Sequence, residues 1–162
     1  MAELDILWAG WRSQYVQGLG QDEAEECIFC RLPGQGDEEG LIIRRGDHAF
    51  AVLNRYPYAS GHLMVGPYRH VAGPGDLDDD ERSEMWSLLA LGEDLSRRAF
   101  NPDGFNIGAN LGRVAGAGVP GHLHLHLVPR WAGDTNFMSV VGGTRVIPED
   151  LADTWKRIRA QL

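Results

Sequence analysis

Along this chain, apolar and polar positions alternate in several short runs and recur with helical spacing in two longer ones. Residues 41–45 and 48–53 read as two strands joined at Gly46-Asp47, a hairpin signal. Residues 54–61, with Pro57 and Gly61, form a connection, and residues 62–65 make a third strand stopped by Pro67. The clearest helix spans 78–99. Asp78 caps it with Glu81 three positions on, and Met85, Leu88, Leu89 and Leu95 form one apolar stripe. Arg97 and Arg98 suit its negative C-terminal end, and Asn101-Pro102 stops it. Residues 104–111 read as a fourth strand, followed by a glycine-rich loop over 112–121. A last helix starts at Pro148, with Leu151, Trp155, Ile158 and Leu162 on one face.

The run Gly121-His122-Leu123-His124-Leu125-His126-Leu127-Val128 carries the sharpest alternation. In a strand ending at Pro129, His122, His124 and His126 share one face and the three leucines point into a core. The pattern predicts one α+β domain on an antiparallel sheet, with a long helix and a C-terminal helix. Residues 1–26 form an N-terminal arm whose first twenty carry Trp8, Trp11 and Tyr15. Residues 27–134 are the core, and 135–162 a C-terminal extension with its helix.

Composition narrows the function. The chain has 162 residues, 43% hydrophobic and 23% charged, ordinary values for a single globular domain. A net charge of −8 argues against a general nucleic-acid binder, which needs a basic face. No stretch has transmembrane length and no basic-apolar leader opens the chain, so a cytoplasmic location without membrane partners is the expectation. Two cysteines are too few for a secreted disulfide scaffold.

A row of imidazoles supplies a nucleophile, a proton donor or a metal ligand near neutral pH. The preceding loop, from Asn110 through Gly118, Val119 and Gly121, lets backbone N–H groups converge on an anion, with Arg113 adding positive charge. Together they describe a phosphate site facing a nucleophile. A neutral imidazole attacks phosphorus, and the phosphoramidate it forms is readily broken by a second acceptor. A separate reading has all three histidines ligate one catalytic metal. Cys27-x-x-Cys30 is a second constellation: two thiolates face one zinc ion, with His70 and His122 as the candidate third and fourth ligands. A redox role is weaker, because no thioredoxin-like βαβ pattern surrounds the pair. The acidic run from Asp76 to Glu81 reads as a solvated helix start, and His48 needs no function.

The sequence His122-Leu-His124-Leu-His126-Leu-Val128 resembles the histidine-triad (HIT) pattern, and Asn54 to Val65 resembles the upstream segment of that superfamily. The likeness runs from about Cys27 to Asp134. The Pro129-Arg130-Trp131 continuation and Gly133 to Phe137 look closest to the fragile-histidine-triad and bacterial dinucleoside-polyphosphate-cleaving branch. This resemblance implies a HIT-like fold, a homodimer, and cleavage of nucleoside phosphoanhydrides or phosphoramidates through a nucleotidyl-histidine. It implies that His124 is the nucleophile, that the His122 carbonyl orients it, and that His126 contacts the phosphate or leaving group. Asn54 matches a ribose-contacting position, with Phe50 and Leu53 as walls of the base pocket. His62 matches a recurring histidine behind the catalytic strand, either a hydrogen-bonded support or a direct participant. Several triad relatives use the CxxC-plus-two-histidines arrangement for structural zinc, and magnesium can arrive with a polyphosphate substrate.

The chain departs from the family in one place. Triad hydrolases often carry Gln and then Ser or Thr four and three residues before the first histidine, where this chain has Gly118 and Val119. Backbone amides of 118–121 can replace those donors, although Pro120 has none to give. Hydrolysis of diadenosine tri- or tetraphosphate is the first expectation. Phosphorolysis by inorganic phosphate, or a non-catalytic zinc-stabilised nucleotide-binding module, are the alternatives.

Overall fold

A computed structural model describes residues 27–134 and 149–162. The expected N-terminal arm, the Thr135-Asn136-Phe137 run and the Pro148 helix start lie outside them. Five strands form one antiparallel sheet in the order β1-β2-β3-β5-β4. They are β1 (Ile42–Arg45), β2 (Ala49–Leu53), β3 (Leu63–Pro67), β4 (Gly104–Gly108) and β5 (Leu125–Arg130). Among the described residues three helices accompany them: α1 (Ile28–Arg31), α2 (Asp79–Phe100) and α3 (Leu151–Arg159). This is the α+β architecture expected from the pattern.

The long helix begins as its sequence dictates. The Asp78 carboxylate accepts from the Glu81 N–H at 2.8 Å and Glu81 accepts from the Asp78 N–H at 3.0 Å, a reciprocal capping box. Asn101 closes the other end in the left-handed region, φ 48°. Met85, Leu88, Leu89 and Leu95 pack against Ala49, Ala51, Leu53, Leu63, Val65 and Leu127 of the sheet. That face holds the main core. The opposite face carries a smaller cluster of Ile42, Phe50 and Val52 with Cys27, Phe29 and Leu32 from α1 and the turn after it.

The β1 edge of the sheet is secured by polar groups in two places. At the β1–β2 hairpin, Glu84 of α2 accepts backbone N–H groups from Asp47, His48 and Ala49. A Cβ on Gly46 would meet that carboxylate at 2.4 Å, so a larger residue there would displace it. Along β1, Trp155 and Arg159 of α3 donate to the carbonyls of Ile42 and Ile43, which covers an edge that would otherwise invite pairing.

The structure departs from the sequence reading in several places. Residues 28–31, to which that reading gave no element, form a short helix. The fourth strand stops at Gly108, and the histidine strand starts only at Leu125. The reason is Pro67: continuing the Leu63–Leu127 and Val65–Leu125 register would set Leu123 opposite a residue with no N–H. Leu123 donates instead to Val71 O at 2.6 Å. Leu162 lies beyond α3 and is 53% exposed, not on its packed face. Glu81 is not solvated; it is 3% exposed and doubly hydrogen-bonded by Arg69 at 2.7 and 2.6 Å.

Candidate active site

Three imidazoles lie on the face opposite α2, and each has one ring nitrogen committed to a neighbour. A backbone carbonyl only accepts, so the nitrogen facing it carries the proton. His122 Nε2–H donates to Pro67 O at 2.9 Å, which leaves its Nδ1 as a lone pair. His124 Nδ1–H donates to His122 O at 2.8 Å, which leaves Nε2 as the basic nitrogen. His126 Nδ1 lies 3.0 Å from Nε2 of the fully buried His62. The His124 and His126 rings meet edge to face with centroids 5.0 Å apart.

Burial keeps His124 and His62 neutral. It lowers His124 below its ordinary value, against the opposing pull of the His122 carbonyl. It pushes His62 down to about 3, with His126 and then His124 adding to the effect. A neutral His124 with a free Nε2 is the form that attacks an electrophilic centre.

Phe29, which sequence reasoning passed over, stacks on His124 with centroids 4.6 Å apart and an interplanar angle of 23°. It also touches His122 at 5.2 Å. Tyr58 was likewise missed: its ring lies 4.7 Å from His62 and its N–H donates to His62 Nδ1 at 3.0 Å. The signals were present, since Phe29 stands inside the CxxC and Tyr58 follows Pro57.

The lone pair of His122 points at two sulfurs. Its Nδ1 lies 3.4 Å from Cys27 Sγ and 3.5 Å from Cys30 Sγ, and His70 Nδ1 lies 3.3 Å from Cys30 Sγ. All four ligand atoms fall within 4.8 Å of one another. A zinc tetrahedron with ordinary bond lengths has a sulfur–nitrogen edge of about 3.5 Å, so the donor set fits. Burial and then Cys27 push the Cys30 thiol up to about 11, and a bound cation would favour its thiolate. Burial also pushes His122 down to about 4, leaving it neutral and ready to ligate. Its Nε2–H on a carbonyl is the usual outer partner of a metal-bound histidine. This is the only such group among the described residues, so the three histidines do not converge on one catalytic metal.

The other expected residues divide. Asn54 is buried beside the site: its Oδ1 accepts from Tyr56 N–H at 2.9 Å and its amide nitrogen lies 3.4 Å from His62 Nδ1. Phe50 lies on the histidine face, stacked on Tyr68 at 5.4 Å. Leu53 does not join it. Three positions along the same strand, it turns under α2 into the main core. Asn110, Gly118, Val119 and Gly121 are half-buried along the connection that leads to His122. That connection is folded rather than open, with a 3-10 turn over Arg113–Ala115 and Ala117 N–H donating to Gly112 O.

Comparison with known proteins agrees with this geometry. The HIT domain family model matches residues 35–133. An AP-4-A phosphorylase of Mycobacterium tuberculosis is 41% identical over 158 residues, covering 94% of this chain and 81% of that protein. Adenosine 5'-monophosphoramidase of Schizosaccharomyces pombe is 30% identical over 104 residues, covering 64% of this chain and 74% of the relative. A hypothetical histidine triad nucleotide-binding protein from Sulfolobus tokodaii superposes with TM-score 0.67 at 28% identity, over 83% of this chain and 91% of the other. A Zn-bound histidine triad family protein from Mycobacterium smegmatis shares the fold, with TM-score 0.69 at 24% identity over 86% and 94% of the two chains. Alternating histidines, an antiparallel sheet that presents them on one face, and these matches together place the chain in the HIT family, as a nucleotide enzyme.

Proposed function

We propose that this protein transfers an adenylyl group from diadenosine tetraphosphate to inorganic phosphate, with His124 as the nucleophile. The observation that carries the reading is the single hydrogen bond from His124 Nδ1 to His122 O, which leaves a neutral Nε2 on a buried ring. The lone pair bonds to phosphorus and the P–O bond to the leaving ATP breaks. A phosphate oxygen then bonds to the same phosphorus, the P–N bond breaks, and ADP departs.

Water was the first acceptor expected from the sequence. The 41% identity to an AP-4-A phosphorylase supports phosphate instead. The replacement of side-chain donors by Gly118 and Val119 fits the same reading, because it leaves backbone amides and more room for a second anion. In this account Asn110 and the 118–121 turn hold the phosphates, and His126 contacts the leaving group. The Asn54 amide reaches the ribose with its second hydrogen, and Phe50 flanks the base. Cys27, Cys30, His70 and His122 hold zinc, which when bound cross-links α1 to the catalytic segment and takes no part in the transfer. Pairing of two copies belongs to the proposal as well. Ile107 and, in the loop that follows, Leu111 and Val114 are apolar groups exposed along the outer strand and available to it.

Product analysis of diadenosine tetraphosphate turnover, with and without phosphate, tests the reading. ADP with ATP, formed only when phosphate is present, is the expected result. AMP with ATP at an undiminished rate without phosphate would return the protein to the hydrolases.

A further inference from the structure

The carbonyl that orients His124 lies where the sheet no longer holds the chain. The β3–β5 pairing ends at Val65–Leu125, so the His122–Leu123 peptide takes no ladder bond. Its N–H donates instead to Val71 O at 2.6 Å, while its C=O accepts from His124 Nδ1–H at 2.8 Å. In a trans peptide these two groups point to opposite sides of one rigid plane, so fixing the N–H aims the C=O. Val71 C=O, the 122–123 amide and the His124 ring form one hydrogen-bonded chain in which each bond polarises the next. Val71 O therefore sets the aim of the nucleophile.

Val71 O itself sits on a segment without regular structure, since residues 68–71 follow β3 and belong to no helix or strand. The Val71 side chain lies in the main core, but apolar contact is non-directional and does not aim a carbonyl. The directional contacts come from Arg69. Its Nε and one terminal nitrogen bind the two oxygens of Glu81 at 2.7 and 2.6 Å, and that terminal nitrogen also donates to Asp76 O at 2.8 Å. Glu81, 3% exposed, is fixed to the start of α2 by the bond from Asp78 N–H at 3.0 Å. Such a fork fixes orientation as well as distance. Pro67 O, two residues before Arg69, accepts from the His122 ring at 2.9 Å. The segment thus grips His122 at one end and Leu123 at the other, with Arg69 midway.

We infer that Arg69 and Glu81 are positioning residues for the nucleophile: their ion pair anchors residues 67–71 to α2, so that Val71 O holds the His122 carbonyl on His124. Both act through the backbone they hold. Their role rests on the reading of His124 as nucleophile and adds where its aim originates, in the first turn of α2. It also gives a reason for burying one carboxylate at a helix start where Asp79 and Asp80 stay exposed. With the pair broken, Val71 O loses its fixed direction, the 122–123 peptide plane rocks, and the Nε2 lone pair leaves the line of attack. Asn54 and Phe50 sit on other segments and keep their contacts, so the loss falls on kcat and leaves KM little changed.

Arg69→Met keeps the side-chain stem and removes the fork, and Glu81→Gln removes the charge while its amide still completes the cap. Each is expected to lower kcat for diadenosine tetraphosphate between about tenfold and a hundredfold with KM little changed. In nitrogen-edited spectra of the substrate-free protein, the His124 Nδ1–H proton is expected to move upfield and exchange faster with water. Arg69→Lys, a point charge without a fork, is expected to fall between Arg69→Met and the parent. The double variant is expected to be no slower than the slower single, because both changes break one device. Zinc content is measured throughout, since His70 adjoins Arg69. A folded variant with parental kcat and a parental His124 signal overturns the inference, as do losses that multiply in the double variant or that added zinc reverses. Should Arg69→Met fail to fold, Glu81→Gln decides by the same two readouts. The spectra contain no substrate, so a wrong reaction product refutes phosphorolysis alone, and an unmoved His124 signal refutes this inference alone.

Discussion

Phe29 ties the cysteine pair to the nucleophile, and replacing it separates stability from catalysis. The ring is 2% exposed, lies 4.6 Å from His124 and 5.2 Å from His122, and meets Phe50 at 6.4 Å. Phe29→Ala empties that space and costs about 3–5 kcal/mol by precedent for buried aromatics. Against a net stability of about 5–15 kcal/mol that loss is a large share. Phe29→Leu fills most of the volume and costs about 1 kcal/mol, yet it offers no flat face to the imidazole. A nucleophile displaced by about 1 Å loses about a hundredfold in rate. Urea melts give the stability of both variants, and ADP formation is followed where each remains folded. The expected pattern is a Leu variant that is nearly as stable as the parent but much slower in kcat. If it turns over at the parental rate, Phe29 fills space and does not hold His124.

Three further outcomes follow from particular contacts. Glu84→Gln removes a charged acceptor from the N–H groups of Asp47, His48 and Ala49 and is expected to cost about 1–3 kcal/mol at pH 7. Burial acts to raise this carboxyl, but the three N–H groups outweigh it and the net shift is downward. Its contribution is therefore complete above the unfolded value of about 4.3 and fades as pH falls through the depressed one. The gap between Glu84→Gln and parent should narrow in urea melts near about pH 3; a constant gap contradicts the assignment. Cys30→Ser is expected to abolish stoichiometric zinc in elemental analysis and to lower the urea midpoint, because binding free energy at such a site is folding free energy. Unchanged zinc content would refute the ligand set. Gly92→Val is expected to cost about 1–3 kcal/mol, since a Cβ there already lies 3.1 Å from both Leu127 and Leu63; a parental melting midpoint would contradict that packing.

Local signals survived folding well. The Asp78–Glu81 box, the turn at Gly46 and the apolar stripe of α2 need only neighbours within a few residues. The facing of His122, His124 and His126 also came through, because period two is a property of the extended chain. Long-range contacts did not. Cys27 and Cys30 meet His122 across 95 and 92 residues, and such distant contacts are what bring Phe29 over the nucleophile. Helix α1 has four residues and no side-chain cap, too little for a periodic signal. Glu81 looked solvated because Arg69, which buries it, comes from a separate segment. Leu53 was set beside Phe50 although their odd spacing sends them to opposite faces. The choice between water and phosphate was unreadable for a different reason: backbone amides that cradle an anion leave no residue code.

The account stands on His124 as the atom that carries the nucleotide. The direct measurement is intact and peptide-level mass spectrometry of the protein mixed briefly with diadenosine tetraphosphate in the absence of phosphate. One adenylyl group on His124, discharged as ADP when phosphate is added, is the predicted result. A label on another residue, or full turnover with no covalent adduct at any time, would contradict it.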